Sequence, residues 1–529
     1  MKTLLTFFGL LAGICTTYSQ NPAIQWQKTI GANAVDVIQS LEKTSDGGAI
    51  IAGYSTSNIS GEKTENSRGK QDLWIVKVDA TGTIQWQKTY GGSGDDVPFS
   101  IKQTPDGGYI VGAASESNIS GDKTENSRGG LDFWILKLDT TGNITWQKTY
   151  GGAQPEMDTY VVPTSDGGYF VGGYSDSDIS GDKTVPTKGQ RDYWALKLDS
   201  SGAIVWQKSL GGSLVDRVQM AFQTVDGNYI IGGFSTSGIS GNKTEANRGG
   251  SDYWIVKLDS SGNVLWDKTY GGSDSDAFRN MIQTADGGYL IGGYSKSNTS
   301  ADKTENSYGD YDYWVLKLNS AGNQLWQKTI GGTGIDYLRS VNQLSDGTYL
   351  ISGYSNSPIS GNKTVASKGG FDYWLVKLDP TGTILSQNSL GGSADESGPY
   401  ILPLSNGHFL LGCSSASNIS GDKTENSRGV EDYWIFETDS SLLGIPNQSV
   451  LQEFSVYPNP TNGNFTLNLG KDYKDVTLQI YNATGQLIMT EKHDAVQKIK
   501  TYLKGPAGVY FLKLNADKET VKTVRIIKY

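Results

Sequence analysis

The sequence predicts an all-β protein: a seven-bladed β-propeller closed by its own N-terminal strand, then a small Ig-like β-sandwich. Three observations predict it. A period of 60 residues recurs seven times between residues 20 and 440. Each period holds four short β-rich runs separated by Gly-containing turns, with no helical periodicity. The array opens on a lone fourth run, IQWQKTI (24–30), and closes on a third run, DYWIFET (432–438), that lacks its partner.

The tryptophans mark the period. Trp26, Trp86, Trp146, Trp206, Trp266 and Trp326 stand 60 residues apart, with Ser386 in the seventh place. Trp74, Trp134, Trp194, Trp254, Trp314, Trp374 and Trp434 form a second series without a gap, and the two series account for all 13 tryptophans. Within one period, VPFSIKQT and YIVGAAS flank the turn PDGG, and FWILKLD and ITWQKTY flank TTGN. Gly at such turns supplies the positive φ that tight hairpins need. A four-stranded blade has two apolar faces and two edges, so it needs neighbours, and propellers commonly stack about 4–8 blades. An open solenoid would carry atypical caps, whereas this array ends in complementary parts of one blade. Pairing of 24–30 with 432–438 closes the ring and leaves no long open edge.

The segment WQKTYGGSGDD (86–96), with the SDGGY-type and DYWIVKLD-type segments that recur beside it, resembles the bacterial seven-bladed β-propeller (SBBP-type) repeat. The resemblance spans about four-fifths of the chain and implies the fold. It implies little about function, because one fold hosts many.

The N-terminus reads as an address. Lys2 precedes an apolar stretch from Leu4 to Ile14, and Thr17 and Ser19 suit cleavage before Gln20, so residues 1–19 form a signal peptide. Ile14 is bulky where a lipoprotein site at Cys15 would want Gly or Ala. No stretch has the roughly 18 apolar residues of a membrane-spanning helix. The expected location is secreted or on the outer cell surface. The net charge of −10 is divided: residues 451–529 hold 11 Lys and Arg against 7 Asp and Glu, the rest 34 against 48. That acidic body repels phosphate backbones, so nucleic acid is excluded as a partner. Two cysteines and two distant histidines exclude a disulfide framework and a His-built zinc site.

Seven copies of one unit separate scaffold from site. The gapless Trp series reads as core, and the Asp two residues before each Trp, from Asp72 to Asp432, reads as a cap of the preceding long loop. A second series is wholly acidic: Asp36, Asp96, Glu156, Asp216, Asp276, Asp336 and Glu396. Two readings stand for it: a channel mouth that binds a cation or cationic ligand, or a repeated hydrogen bond to the crossing loop. Long polar loops carry Lys-Thr in every repeat and KTENSRG in repeats one, two and seven, and read as a binding surface or as solvated turns. No cofactor is implied; calcium is a candidate at Asp176-Ser177-Asp178, although Thr187 stands where a calcium loop has its bidentate Glu. No nucleophile elbow, phosphate loop or general-base His constellation is present, so no catalytic residue is assigned. The favoured reading is a non-enzymatic propeller that binds a glycan or protein. The alternatives are a carboxylate-dependent polysaccharide enzyme and a structural adhesin.

After a polar linker (441–453), residues 454–529 alternate apolar and polar in short runs with turn dipeptides, which reads as a β-sandwich. Tyr457-Pro458-Asn459-Pro460 with Gly463, the turn ending at Gly485, Gly508-Val509-Tyr510 and the terminal Arg525 to Lys528 resemble the type A C-terminal sorting domain of the Bacteroidetes type IX secretion system. The resemblance implies the type IX machinery as a partner, export across the outer membrane, and release or attachment at the surface.

Overall fold

The computed structural model describes residues 24–443, 455–457, 459–482, 486–494, 496–516 and 519–529. The expected signal peptide and residues 444–453 of the expected linker lie outside them. One compact unit spans residues 21–444 and another takes in 445–529.

The larger unit is almost wholly strand, organised as four-stranded antiparallel sheets that resemble propeller blades. Strands β1 (Ile24–Ile30), β2 (Asp36–Lys43), β3 (Ala49–Ser55), β4 (Asp72–Val78) and β5 (Ile84–Tyr90) set the pattern. Strands β2 to β5 form one sheet in chain order, and five further sheets, first strands starting at Asp96, Glu156, Asp216, Asp276 and Asp336, repeat it. The remaining sheet combines Glu396–Pro403, Phe409–Ser415 and Asp432–Thr438 with β1 as its fourth strand. β1 enters in the register of every other fourth strand: Thr29 faces Trp434 as Thr89 faces Trp74. Its side chains follow suit, since Trp434 Nε1 donates to Gln27 Oε1 at 3.0 Å as Trp74 Nε1 donates to Gln87 Oε1 at 2.8 Å.

Neighbouring sheets are joined by one recurring bond. The amide of each first-strand acid donates to a carbonyl just before the preceding third strand, as in Asp96 N to Gln71 O at 2.7 Å. The same bond links Asp36 N to Glu431 O at 2.8 Å.

The core lies between sheets. All seven third-strand tryptophans are fully buried. Trp134 packs with Tyr109, Val111 and Leu136 of its own sheet against Leu73 and Ile75 of the sheet before. Fourth strands also grip the next sheet's turn, as where Tyr90 Oη donates to Gly142 O and the Trp86 ring covers Gly142. Gly142 has φ +83°, and a Cβ there would stand 2.7 Å from that ring, so both the conformation and the contact require glycine.

The smaller unit packs a three-stranded antiparallel sheet (Ser455–Tyr457, Asn464–Tyr473, Val496–Tyr502) and a four-stranded one (Leu487–His493, Val476–Asn482, Gly508–Ala516, Glu519–Lys528) on a single core. Phe465, Leu467 and Ile499 meet Leu478, Ile480, Leu512 and Ile526 there, as alternating apolar residues of two facing sheets should.

Candidate functional site

The acidic series sits inside the protein. Asp36, Asp96, Glu156, Asp216, Asp276, Asp336 and Glu396 are 0–1% exposed, so they do not line an open mouth. Each carboxylate accepts the backbone N–H four residues upstream: Gly92 to Asp96 at 2.7 Å, Gly152 to Glu156 at 2.9 Å, Ala32 to Asp36 at 2.7 Å. Serine hydroxyls add a second bond, such as Ser117 to Asp96 at 2.8 Å and Ser415 to Glu396 at 2.8 Å. Burial pushes Asp36 and Asp216 up to about 6. The other series joins them: Asp72 Oδ2 accepts the Arg68 N–H at 2.5 Å and caps its loop, and its carboxyl is held up by burial with the Asp96 charge adding to it. One prediction follows from these bonds. Asp96→Asn keeps an acceptor for Gly92 and Ser117 and is expected to cost about 1 kcal/mol or less, whereas Asp96→Ala strands both donors and costs about 2–3 kcal/mol. Urea denaturation measures both, and equal losses would remove the acceptor role.

The long loops are knitted rather than loose. Lys63 is buried and donates to Ser57 O at 2.9 Å, Asn66 Oδ1 accepts the Ile59 N–H at 3.0 Å, and Ser67 donates to Ser57 O at 2.9 Å. Glu65 Oε2 accepts the Thr89 N–H at 2.8 Å, and Arg68 Nε pairs with Asp122 of the next repeat at 2.8 Å. Pairs of that kind recur at Arg128–Asp182, Arg248–Asp302 and Arg428–Glu62, so the KTENSRG motif is accounted for by the scaffold. At the loop tips Ile59, Ile119, Ile179, Ile239, Ile359 and Ile419 are each 60–69% exposed. The calcium-like Asp176 is held by Arg191, Nε to Oδ1 at 2.6 Å and Nη2 to Oδ2 at 2.7 Å, so its carboxylate is already spent on a guanidinium.

The repeat pattern also breaks at the first strands. First strands from all seven sheets bound a cavity of about 450 Å³. Equivalent positions on those strands read Gln39, Phe99, Thr159, Gln219, Arg279, Arg339 and Pro399. Repeats three and seven differ in backbone too. Every first-strand ladder skips a residue, but these two skip a pair, between Met157 and Tyr160 and between Ser397 and Tyr400, with Asp158 at φ +56° and Gly398 at φ +60°, and Tyr160 and Tyr400 join the cavity wall. These repeats are also the two whose acidic residue is Glu, and both read Glu-x-x-x-Tyr-x-x-Pro (156–163 and 396–403). That shared departure was the available signal for the cavity; recurrence, which exposes scaffold, passes over it.

The basic groups of the cavity are unevenly matched. Lys102 pairs with Glu42 at 2.5 Å, and Arg217 with the buried Asp158. Arg279 donates to neutral partners, Gln219 Oε1 at 2.9 Å and Tyr294 Oη at 2.5 Å. Arg339 is half-buried and makes neither a hydrogen bond nor an ion pair among the described residues. Tyr294 leads outward into an aromatic cluster with Tyr311, Tyr337, Tyr354 and Phe371, ring centroids 4.5–6.2 Å apart.

In the smaller unit the motif residues clip the 459–463 turn to the last strand. Asn459 Oδ1 accepts the Ile527 N–H at 2.9 Å, and Gly463, at φ +117°, accepts the Leu503 N–H at 2.8 Å. Lys528 Nζ donates to Leu503 O and Gly505 O at 2.9 and 2.7 Å, and Tyr510 Oη to Pro506 O at 2.8 Å. Pro460 follows Asn459 in that turn, Gly508 faces Lys528 across the ladder, and Tyr457 is 48% exposed. Pro458 and Gly485 lie outside the described residues.

Blade-like sheets in one unit and two facing sheets in the other define an all-β repeat protein with a second, smaller β unit. Residues 455–528 match the secretion system C-terminal sorting domain, so the chain carries a type IX sorting tail and is delivered to the cell surface or secreted. The chain is similar to the regulatory protein FlaEY of Caulobacter vibrioides, 23% identical over 334 residues, 58% of this chain and 35% of that protein. It thus spans about a third of that relative's length. Among solved structures it is similar to PorZ, a surface component of the type IX secretion system of Porphyromonas gingivalis (12% identity, 94% of this chain, 75% of that one, TM-score 0.28). It is also similar to the WD40 domain of Neurospora crassa Pan2 (10% identity, 78% and 95%, TM-score 0.38). No helix among the described residues is long and apolar enough to cross a membrane.

Proposed function

We propose that the chain is a non-enzymatic binding protein of the cell surface or surroundings. In this reading residues 20–440 form a closed seven-bladed propeller that takes a glycan or protein ligand. Residues 454–529 form an Ig-like sandwich addressed to the type IX machinery, with 441–453 as linker. The β1 pairing and the Asp36–Glu431 bond support closure. The observation that carries the binding role is the loss of seven-fold symmetry at the cavity, where scaffold demands are the same in every blade but the side chains are not. Burial of the acidic series weighs against the form of the carboxylate-enzyme alternative that takes its two acids from that series rather than from the loops.

A protein ligand has its own support, the ring of exposed isoleucines at the long-loop tips. Glycan arrays and pull-downs of surface proteins with the full chain, run beside a polysaccharide cleavage panel, test the proposal. Binding without turnover is the expected result. Silence in both binding assays by well-folded protein, or cleavage abolished by paired Asp→Asn changes, would reject it.

A further inference from the structure

We infer that the cavity binds an acidic saccharide, its carboxylate held by Arg339 and Arg279; this rests on the binding role proposed above and names its ligand class. The first ground is charge. In a region where acids outnumber bases by 48 to 34, the cavity gathers four basic groups, and two of them, Lys102 and Arg217, have acidic partners. Arg279 has only neutral partners and Arg339 has none among the described residues, although both line the enclosure. A cation withdrawn from water without a counter-charge is costly, and an anion placed beside it removes that cost. Guanidinium groups present parallel N–H pairs that match a carboxylate.

Two further grounds concern the rest of the ligand. Beyond the bonds they make within the protein, the Gln219 and Asn280 amides keep donors, Asn342 Oδ1 and the Tyr400 hydroxyl oxygen keep acceptors, and Tyr160 adds a hydroxyl, which suits a body bearing several hydroxyl groups. The wall's own aromatic rings, Phe99, Tyr160 and Tyr400, supply apolar surface beside the charged groups, which suits the apolar faces of a sugar ring. A volume of about 450 Å³ is within the range of small-molecule sites. The wall strands are the inner edges of their sheets. Several of their amides donate to side chains of the neighbouring sheet, Ile101 to Ser40 Oγ at 3.3 Å, Val161 to Ser100 Oγ at 2.9 Å and Val341 to Asn280 Oδ1 at 3.3 Å, so these do not add to a cradle of free amides such as phosphate sites use.

Calorimetric titration of the full chain with D-glucuronate, D-galacturonate, D-glucose and sodium sulfate tests the inference. Uronate is expected to bind at least tenfold more tightly than glucose, with affinity falling as salt rises. Arg339→Gln is expected to weaken uronate binding at least tenfold while leaving the melting temperature unchanged or higher, because it deletes a cation with no hydrogen-bond or ion-pair partner among the described residues. Tyr160→Phe should weaken binding at an unchanged melting temperature. Glucose binding as well as uronate, sulfate binding as tightly as either sugar acid, or wild-type affinity in Arg339→Gln would overturn it. A markedly lower melting temperature in Arg339→Gln would make the arginine structural and also overturn it. If the arrays find a neutral glycan or a protein while uronates stay silent, this inference fails and the binding role stands.

Discussion

A variant lacking residues 21–30 is expected to lose about 5 kcal/mol or more and to melt at least about 10 °C lower, since β1 is a structural member of the last sheet. The strand contributes Ile30, 2% exposed, and half-buried Ile24 and Trp26 to the sheet's packing. It also closes a set of bonds that the rest of the chain leaves open. Gln27 accepts the Trp434 indole and the Thr424 N–H, and its amide donates to Asp422 O at 2.9 Å. Thr29 N donates to Glu425 at 2.7 Å, and Trp26 Nε1 to Glu437 at 2.9 Å. Without β1, the strand Asp432–Thr438 becomes an uncovered edge, so the variant should also self-associate. A synthetic peptide of residues 21–32 added in trans should recover part of the lost melting temperature, because it restores the same ladder. Calorimetry and light scattering read both effects. An unchanged melting curve would remove β1 from the structural account.

That strand was legible because a missing piece and a surplus piece of one period stood at opposite ends of the array. Repetition made the tryptophan core and the loop-capping aspartates readable for the same reason: a need that recurs in each sheet selects the same residue each time. For the acidic series it left two readings open, a lined mouth and a repeated hydrogen bond. An acid in every repeat, five Asp and two Glu, accompanies the same internal bond from the N–H four residues upstream, and the carboxylates lie buried. The cavity was hard to see because its residues share no type. Arg279, Tyr160 and Asn342 become neighbours only once β2-like strands from different repeats converge, and their register is set by slips at Tyr160 and Tyr400 that pairing reveals. The loop motif lay between these cases. KTENSRG was visible, but that its Lys is buried and its Arg spans to the next repeat depends on loop geometry that spacing does not encode.

Stability is expected to fall as pH rises from about 4 to about 7, opposite to the behaviour of a protein held mainly by paired carboxylates. Burial raises Asp36 and Asp216 to about 6 and Asp252 and Asp312 to about 7, from 3.8. Between the two values the folded chain keeps protons that the unfolded chain has released. The unfolded state then binds fewer protons, and the free energy of unfolding decreases with pH. The contribution is therefore complete below pH 4 and is lost through pH 6–7. A second set of groups turns the curve at the alkaline end. Burial lowers Lys63, Lys123, Lys243, Lys303 and Lys363 from 10.5 to about 8, so the folded chain sheds these protons first and stability recovers between pH 8 and 10. At the acid end, Asp46, Asp106, Asp166 and Asp286 are held at about 2, chiefly by bonds from a lysine ammonium and a threonine hydroxyl, and their contribution disappears below pH 4. The melting temperature should thus peak near pH 4–5 and reach a minimum near pH 7–8. Asp252→Asn with Asp312→Asn should flatten the fall between them, since neither amide titrates. A melting temperature that climbs steadily from pH 5 to pH 7.5 would mean that these carboxyls ionise at ordinary values inside the fold, with the nearby buried lysines supplying the charge that stabilises them.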